Sequence, residues 1–120
     1  MSTPEPVKVT KAQDVKTNHG QTDGMIRQSA IVDLSPSQQI VGTLMRAQPH
    51  SSSAVHHHGS QDTIVYAVSG VGAVVSDHGK QVDELKPGDW AIILKGREHQ
   101  EVNSGDEEVL HCKAHEVLLG

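Results

Sequence analysis

The stretch His56-His57-His58-Gly59-Ser60-Gln61-Asp62-Thr63-Ile64-Val65-Tyr66-Ala67-Val68-Ser69-Gly70 decides how this chain is read. Residues two apart on a β-strand point to the same face, so His56 and His58 can grip one ion from one strand. Neutral imidazole is the commonest protein ligand for zinc, copper, iron and nickel. The histidines lead into a β-branched run that Gly70 closes. A second stretch, Pro87-Gly88-Asp89 through Gly96-Arg97-Glu98-His99-Gln100-Glu101-Val102-Asn103, supplies His99, a third histidine able to close the site from a facing strand.

Working outward, the chain from Gly24 onward is a series of short β-branched runs. The expected strands are Met25–Leu34, Ile40–Ala47, Thr63–Ser69, Gly72–Ser76, Gln81–Leu85, Trp90–Leu94, His99–Asn103 and Glu108–Val117. Turn residues separate them: Ser35-Pro36-Ser37, Ser69-Gly70, Asp77-His78-Gly79, Pro87-Gly88-Asp89 and Asn103-Ser104-Gly105-Asp106. No long window has a 3.6-residue period, and Gln38–Leu44 favours a strand because it is short and β-branched. Short strands at regular spacing predict an all-β, single-domain sandwich or barrel. Residues 1–22 read as a polar N-terminal arm, ordered by docking on a partner subunit, and 23–120 as the barrel domain.

Composition removes several function classes. Ten Lys plus Arg against fifteen Asp plus Glu give a formal charge of −5, which gives no reason to expect nucleic acid as a partner. Phenylalanine is absent, and Tyr66 and Trp90 are the only aromatics, too few for a stacking platform. Cys112 is alone, so neither a disulfide framework nor a cysteine zinc knuckle is available. There is no apolar run long enough to span a membrane, and the N-terminus lacks the blocks of a signal peptide. A cytoplasmic protein with no membrane partner is expected.

These residues resemble the two-part signature of the cupin superfamily. The first motif runs His-x-His, three or four residues, Glu, six residues, Gly, and His56, His58 and Gly70 fall in place. The second runs Gly, five residues, Pro-x-Gly, two residues, His, three residues, Asn. Gly88, Gly96, His99 and Asn103 match it, with Leu94 where proline is usual. Gly72–Lys86 has the character of the variable connector between the motifs. The resemblance implies a small RmlC-like double-stranded β-helix, a jelly-roll barrel, that pairs into a homodimer. It also implies one divalent transition metal ion per chain, iron first, with zinc, nickel or manganese as alternatives.

The match departs at the carboxylate. Thr63 stands where the stricter motif spacing places Glu, and its neutral hydroxyl adds no charge. The looser spacing lands on Asp62, which a slight bulge would turn inward. Gln61 is the alternative, since strict alternation with an inward Thr63 favours it, and an absent fourth protein ligand is the third possibility. His50 stands where a glycine usually precedes the first motif. The preferred metal set is therefore His56, His58, Asp62 and His99.

The remaining residues have plainer expectations. His57 faces away from the site, His78 belongs to a solvated hairpin tip, and His111 and His115 are half-exposed. Tyr66 points away from the pocket if Thr63 points in, and Trp90 lines either the cavity or a dimer seam. Cys112 is a small buried hydrophobe. Arg97 and Glu98 sit on the rim, and Arg27 and Arg46 on solvated faces. Cupins with such sites include oxygenases and redox-neutral isomerases, lyases or dehydratases, as well as non-catalytic binders. The expected function is a metal-dependent enzyme acting on a small oxygen-rich metabolite, foremost a non-haem iron dioxygenase using open metal positions.

Overall fold

The computed structural model describes residues 5–18, 23–31, 38–57 and 59–116. Among them there is no α-helix; a 3-10 turn at Ala12–Asp14 precedes ten strands. These are β1 (Lys16–Asn18), β2 (Met25–Ile31), β3 (Ile40–Ala47), β4 (Ser51–Ser52), β5 (Thr63–Ser69), β6 (Gly72–Ser76), β7 (Gln81–Leu85), β8 (Trp90–Ile93), β9 (His99–Asn103) and β10 (Val109–Glu116). None of the described helices is long and apolar enough to cross a membrane.

The strands form two antiparallel sheets, ordered β1-β2-β3-β10-β5-β8 and β4-β9-β6-β7. The chain passes back and forth between them, which is the jelly-roll arrangement expected from the strand spacing. Expected strands at Ile40–Ala47, Thr63–Ser69, Gly72–Ser76, Gln81–Leu85 and His99–Asn103 have the observed bounds. The residues expected to extend the second strand to Leu34, like the turn at Ser35-Pro36-Ser37, lie outside the described residues. The end of the N-terminal arm docks on its own chain, with Lys16 opposite Ser29 and Asn18 opposite Arg27.

Two positions explain parts of the motif that carry no chemistry. Gly70 turns the chain from one sheet to the other at a φ of +74°, where a Cβ would collide with the Glu108 carbonyl and sit 2.9 Å from Val109 Cα. Asn103 is buried, and its side-chain amide donates to the carbonyls of Ala47 at 3.0 Å, Gln48 at 3.1 Å and Glu107 at 2.8 Å. Its Oδ1 accepts from the Gly105 N–H at 3.1 Å. The last residue of the second motif thus staples the β3–β4 connection to the β9–β10 connection. At His50, where glycine is usual, φ is +57°, and Nε2 meets Asp106 Oδ1 at 2.8 Å.

The apolar core is small and divided. One cluster joins Val65, Ala67, Val74, Leu85 and Ile93; the other joins Met25, Met45, Ala47 and Val109. Register sets out the inner face of the larger sheet in rows. Arg27, Met45, His111 and Ala67 form one; Ser29, Thr43, Lys113, Val65 and Ala91 the next; Val41, His115, Thr63 and Ile93 the third. From the smaller sheet, β9 turns His99, Glu101 and Asn103 inward, all buried.

Candidate metal centre

His56 and His99 come together through the backbone. Each N–H donates to the other's carbonyl, at 2.9 and 2.8 Å, in an isolated bridge outside β4 and β5. The rings lie with centroids 4.4 Å apart, tilted by 57°. The same local device then orients both. His56 Nδ1 is 2.8 Å from the Ala54 carbonyl, and His99 Nδ1 is 3.0 Å from the Arg97 carbonyl, in each case two residues back.

A carbonyl oxygen only accepts, so each Nδ1 carries the proton and each Nε2 keeps its lone pair. This is the tautomer that a ring needs to bind a metal through Nε2, held by the hydrogen bond on its other nitrogen. Burial is the main force pushing both imidazoles below their ordinary pKa, and the cations Arg27 and Lys113 push the same way. The carbonyl bonds act against this shift without being its largest cause. Neutral imidazole is the ligating form. The two described rings therefore fit a divalent ion in chemistry and in orientation. His58, the third expected ligand, lies outside the described residues, and among those described no group of three or more His, Cys, Asp or Glu is placed to hold a metal.

Asp62 is engaged by residues distant from it in sequence. Its Oδ1 accepts from the Lys95 backbone N–H at 2.9 Å, and its own N–H donates to Glu116 Oε1 at 3.2 Å. Just after it, Thr63 through Tyr66 pair in continuous register with Ile93 through Trp90. The inward place belongs to Thr63, at 0% exposure, while Gln61 just before the strand is half-buried. His57 is exposed, its Nδ1 accepting from the Gly59 N–H at 3.0 Å, and His78 is exposed at the β6–β7 turn.

Several residues stand where the sequence reading did not place them. Lys113 and Glu101, 2% and 1% exposed, form an ion pair inside the barrel. Burial pushes the Lys113 ammonium well below its usual range, and Arg27 adds to that shift. His111, expected to be half-exposed, is buried, with no hydrogen-bond partner among the described residues for either ring nitrogen. Arg27, expected on a solvated face, stands in the inner row beside Met45. Cys112 is the converse case: it was expected inside and is exposed, because inward Val109, His111 and Lys113 leave the alternate residues of β10 facing out.

A cavity of about 840 Å³ lies beside the pair, lined by His99, Arg97, Ile93 and Trp90 and by β7 and β8, the edge strands of the two sheets. A second, of about 620 Å³, reaches His99 from the side of Val55 and His78. Arg97 and Glu98 are exposed, as expected of a rim. Tyr66 turns away from the interior and packs on Trp90, ring centroids 4.6 Å apart.

A two-sheet jelly roll in which His56 and His99 come together is a small cupin domain. The family model for the cupin domain, Cupin_2, matches residues 43–112, and the chain belongs to that family. No curated protein matches its sequence. Among solved structures, it is similar to the polyketide cyclase RemF of Streptomyces resistomycificus, with a TM-score of 0.80 and 18% identity over 92% of this chain and 80% of that one. It is similar to a cupin-superfamily sugar phosphate isomerase of Silicibacter pomeroyi at 27% identity and TM-score 0.63, over 77% of this chain. Only 60% of that isomerase chain is covered. A Thermotoga maritima protein described as a predicted oxalate decarboxylase has a TM-score of 0.71 and 20% identity, over 92% of this chain and all of that one. The cyclase and decarboxylase likenesses establish the fold.

Proposed function

We propose that this cupin is a metal-dependent enzyme acting on a small oxygen-rich organic metabolite by redox-neutral chemistry, such as isomerisation or elimination. One divalent ion per chain is held by His56, His58 and His99. The observation that carries the reading is the matched pair of Nδ1–H tautomers on His56 and His99, each fixed by a main-chain carbonyl. A bound ion would supply Lewis acidity, polarising a carbonyl or stabilising an enolate.

The donor set favours that chemistry. Three neutral imidazoles are the protein ligands of a known class of catalytic zinc site, whereas the common iron oxygenase triad includes a carboxylate. Here Thr63 holds the inward position and Asp62 is engaged by Lys95. The barrel also keeps Lys113, Glu101 and His111 inside, groups suited to holding or moving a proton. The 27% identical relative described as an isomerase points the same way. The iron dioxygenase is the second reading, favoured by the cavity of about 840 Å³ that reaches His99 and has room for a chelating substrate.

Elemental analysis of untagged protein purified without chelators, joined to oxygen uptake on catechol- and diketone-type substrates, tests the proposal. Bound zinc, nickel or manganese without oxygen uptake is the expected result. Iron with oxygen uptake would transfer the assignment to the dioxygenase, and a chain that takes up no metal on reconstitution would overturn both.

The functional unit in this reading is a homodimer. Its support is the outer face of β5, β8 and β10, where Ile64, Tyr66, Val68, Trp90, Ile92, Leu110, Cys112 and Ala114 form a largely apolar stripe that ends at Glu116. Trp90 is 68% exposed and Ile92 61%, a contiguous apolar surface of the kind that partners cover.

A further inference from the structure

The two cavities meet at one place. Ser76, Gly96, Arg97 and His99 line both, and of these Arg97 carries the permanent charge. The backbone fixes it there. The Arg97 N–H closes the β8–β9 turn on the Leu94 carbonyl at 3.1 Å, with Gly96 at a φ of +75°. The Arg97 carbonyl is the one that His99 Nδ1 meets at 3.0 Å, so the residue is in direct contact with the candidate metal centre. Its side chain is exposed and takes part in no ion pair or hydrogen bond among the described residues.

Charge is sorted along the larger cavity. Across the smaller sheet Gln81 stands opposite Ser76, and Ser76 opposite His99, which marks the end where Lys95 and Arg97 also lie. Asp83 is two residues further along β7 and Glu84 three, about 7 and 10 Å away at the rise of a strand. Asp89 lies at the far end of β8, beside Trp90. These carboxylates already have partners: Asp83 accepts from Gln81 Nε2 at 2.9 Å, Glu84 is 3.8 Å from Lys86 Nζ, and Asp89 accepts from the Lys86 N–H at 2.8 Å. The side chains of Lys95 and Arg97 pair with nothing among the described residues, so the cavity is basic at the end that holds His99.

We infer that Arg97 binds a carboxylate on the ligand, so that the cavity takes a small organic acid with its acid group beside His99 and the rest of its length between β7 and β8. A guanidinium keeps its charge in proteins, and its planar fork matches a carboxylate with two parallel hydrogen bonds. Asp83, Glu84 and Asp89 in the same cavity oppose a phosphate dianion more than a single carboxylate. The inference names the substrate class for the proposed enzyme and rests on that reading for the part played by the metal.

Every residue type at position 97 offers the same carbonyl to His99, so a side-chain change there leaves the metal centre in place. Calorimetric titration of the zinc-loaded full chain with pyruvate, lactate and malate, each beside its neutral amide, and with inorganic phosphate, tests the inference. At least one acid should bind about tenfold or more tighter than its amide, the margin expected for a charge-assisted pair. Arg97→Gln should lose about that factor for the acid and little for the amide, with zinc content and thermal melt unchanged, and Arg97→Lys should recover part of it. Lys8→Gln removes the same charge from an exposed position outside both cavities and should keep the wild-type affinity. Equal acid affinity in wild type and Arg97→Gln, an equal loss in Lys8→Gln, no Arg97-dependent binding of any acid, or phosphate binding above every acid would overturn the inference. If the chain takes up no zinc, the proposed enzyme fails separately, and the same titrations on the metal-free chain decide for or against the Arg97 site.

Discussion

Along β10 the residues facing into the barrel are Val109, His111, Lys113 and His115, while those facing out are Leu110, Cys112, Ala114 and, at the end, Glu116. The contrast extends across the larger sheet. Inside stand Arg27, Thr43 and Thr63; outside on the neighbouring strands stand Ile64, Tyr66, Val68, Trp90 and Ile92. Burial of apolar surface drives folding, so a sheet that sets polar groups among Met45, Val65 and Ala67 inside and leaves apolar area outside gives up part of its stability. The inner face puts ionisable groups where a ligand enters, and the outer face puts apolar area where a second chain can cover it.

The largest effect should come from breaking the inner ion pair. Glu101→Ala leaves the Lys113 charge buried and uncompensated, and should lower unfolding stability by about 3–5 kcal/mol. The double variant Glu101→Leu with Lys113→Met should regain most of that loss, because an apolar pair of similar volume removes both desolvation costs. Urea unfolding of the three proteins reads this directly, and a double variant no better than Glu101→Ala would show that the pair does more than neutralise itself.

A smaller effect should follow pH. His56, His99, His111 and His115 all have folded pKa values below the ordinary imidazole value, with burial the leading cause. The unfolded chain then binds more protons than the folded one below about pH 6.5. The metal-free protein should hold its full stability above that value and lose it as pH falls through the lowered folded values. Urea midpoints measured from about pH 8 down to about pH 5 check this, and His111→Gln should reduce the slope. Midpoints that stay level across that range would contradict the buried-neutral account of these rings.

The outer face should give the smallest change in subunit stability. Trp90→Glu, at an exposed position, should alter the unfolding of a single chain by no more than about 0.5 kcal/mol. It should nevertheless convert dimer to monomer in light scattering behind size exclusion. A Trp90→Glu protein that keeps the wild-type mass would remove this face from the interface.

How far the sequence could be read differs between the two motifs. In the second, the motif spacing was enough to find the buried histidine, and strict alternation through His99, Glu101 and Asn103 would have found Glu101 as well. In the first, the spacing allowed Asp62 or Thr63, and only the amide of Lys95, far away in sequence, shows which way Asp62 turns. The strand at Ser51–Ser52 and that at Lys16–Asn18 are too short to leave a period. Arg27, His111 and Cys112 were misplaced for a single reason: the rule that apolar residues face inward assumes an interior apolar throughout, and this one sets polar groups among Met45, Val65 and Ala67. Pairing register with β3 and β5, which no local pattern contains, decides those three.

Zinc stoichiometry in wild type and His99→Ala, measured by elemental analysis after equilibrium dialysis with a circular dichroism spectrum of each, tests the central claim most directly. The account expects about one ion per wild-type chain, at least a tenfold loss of affinity in His99→Ala, and the same β-sheet spectrum in both. Equal zinc content in the two proteins would contradict the placement of the metal between His56, His58 and His99.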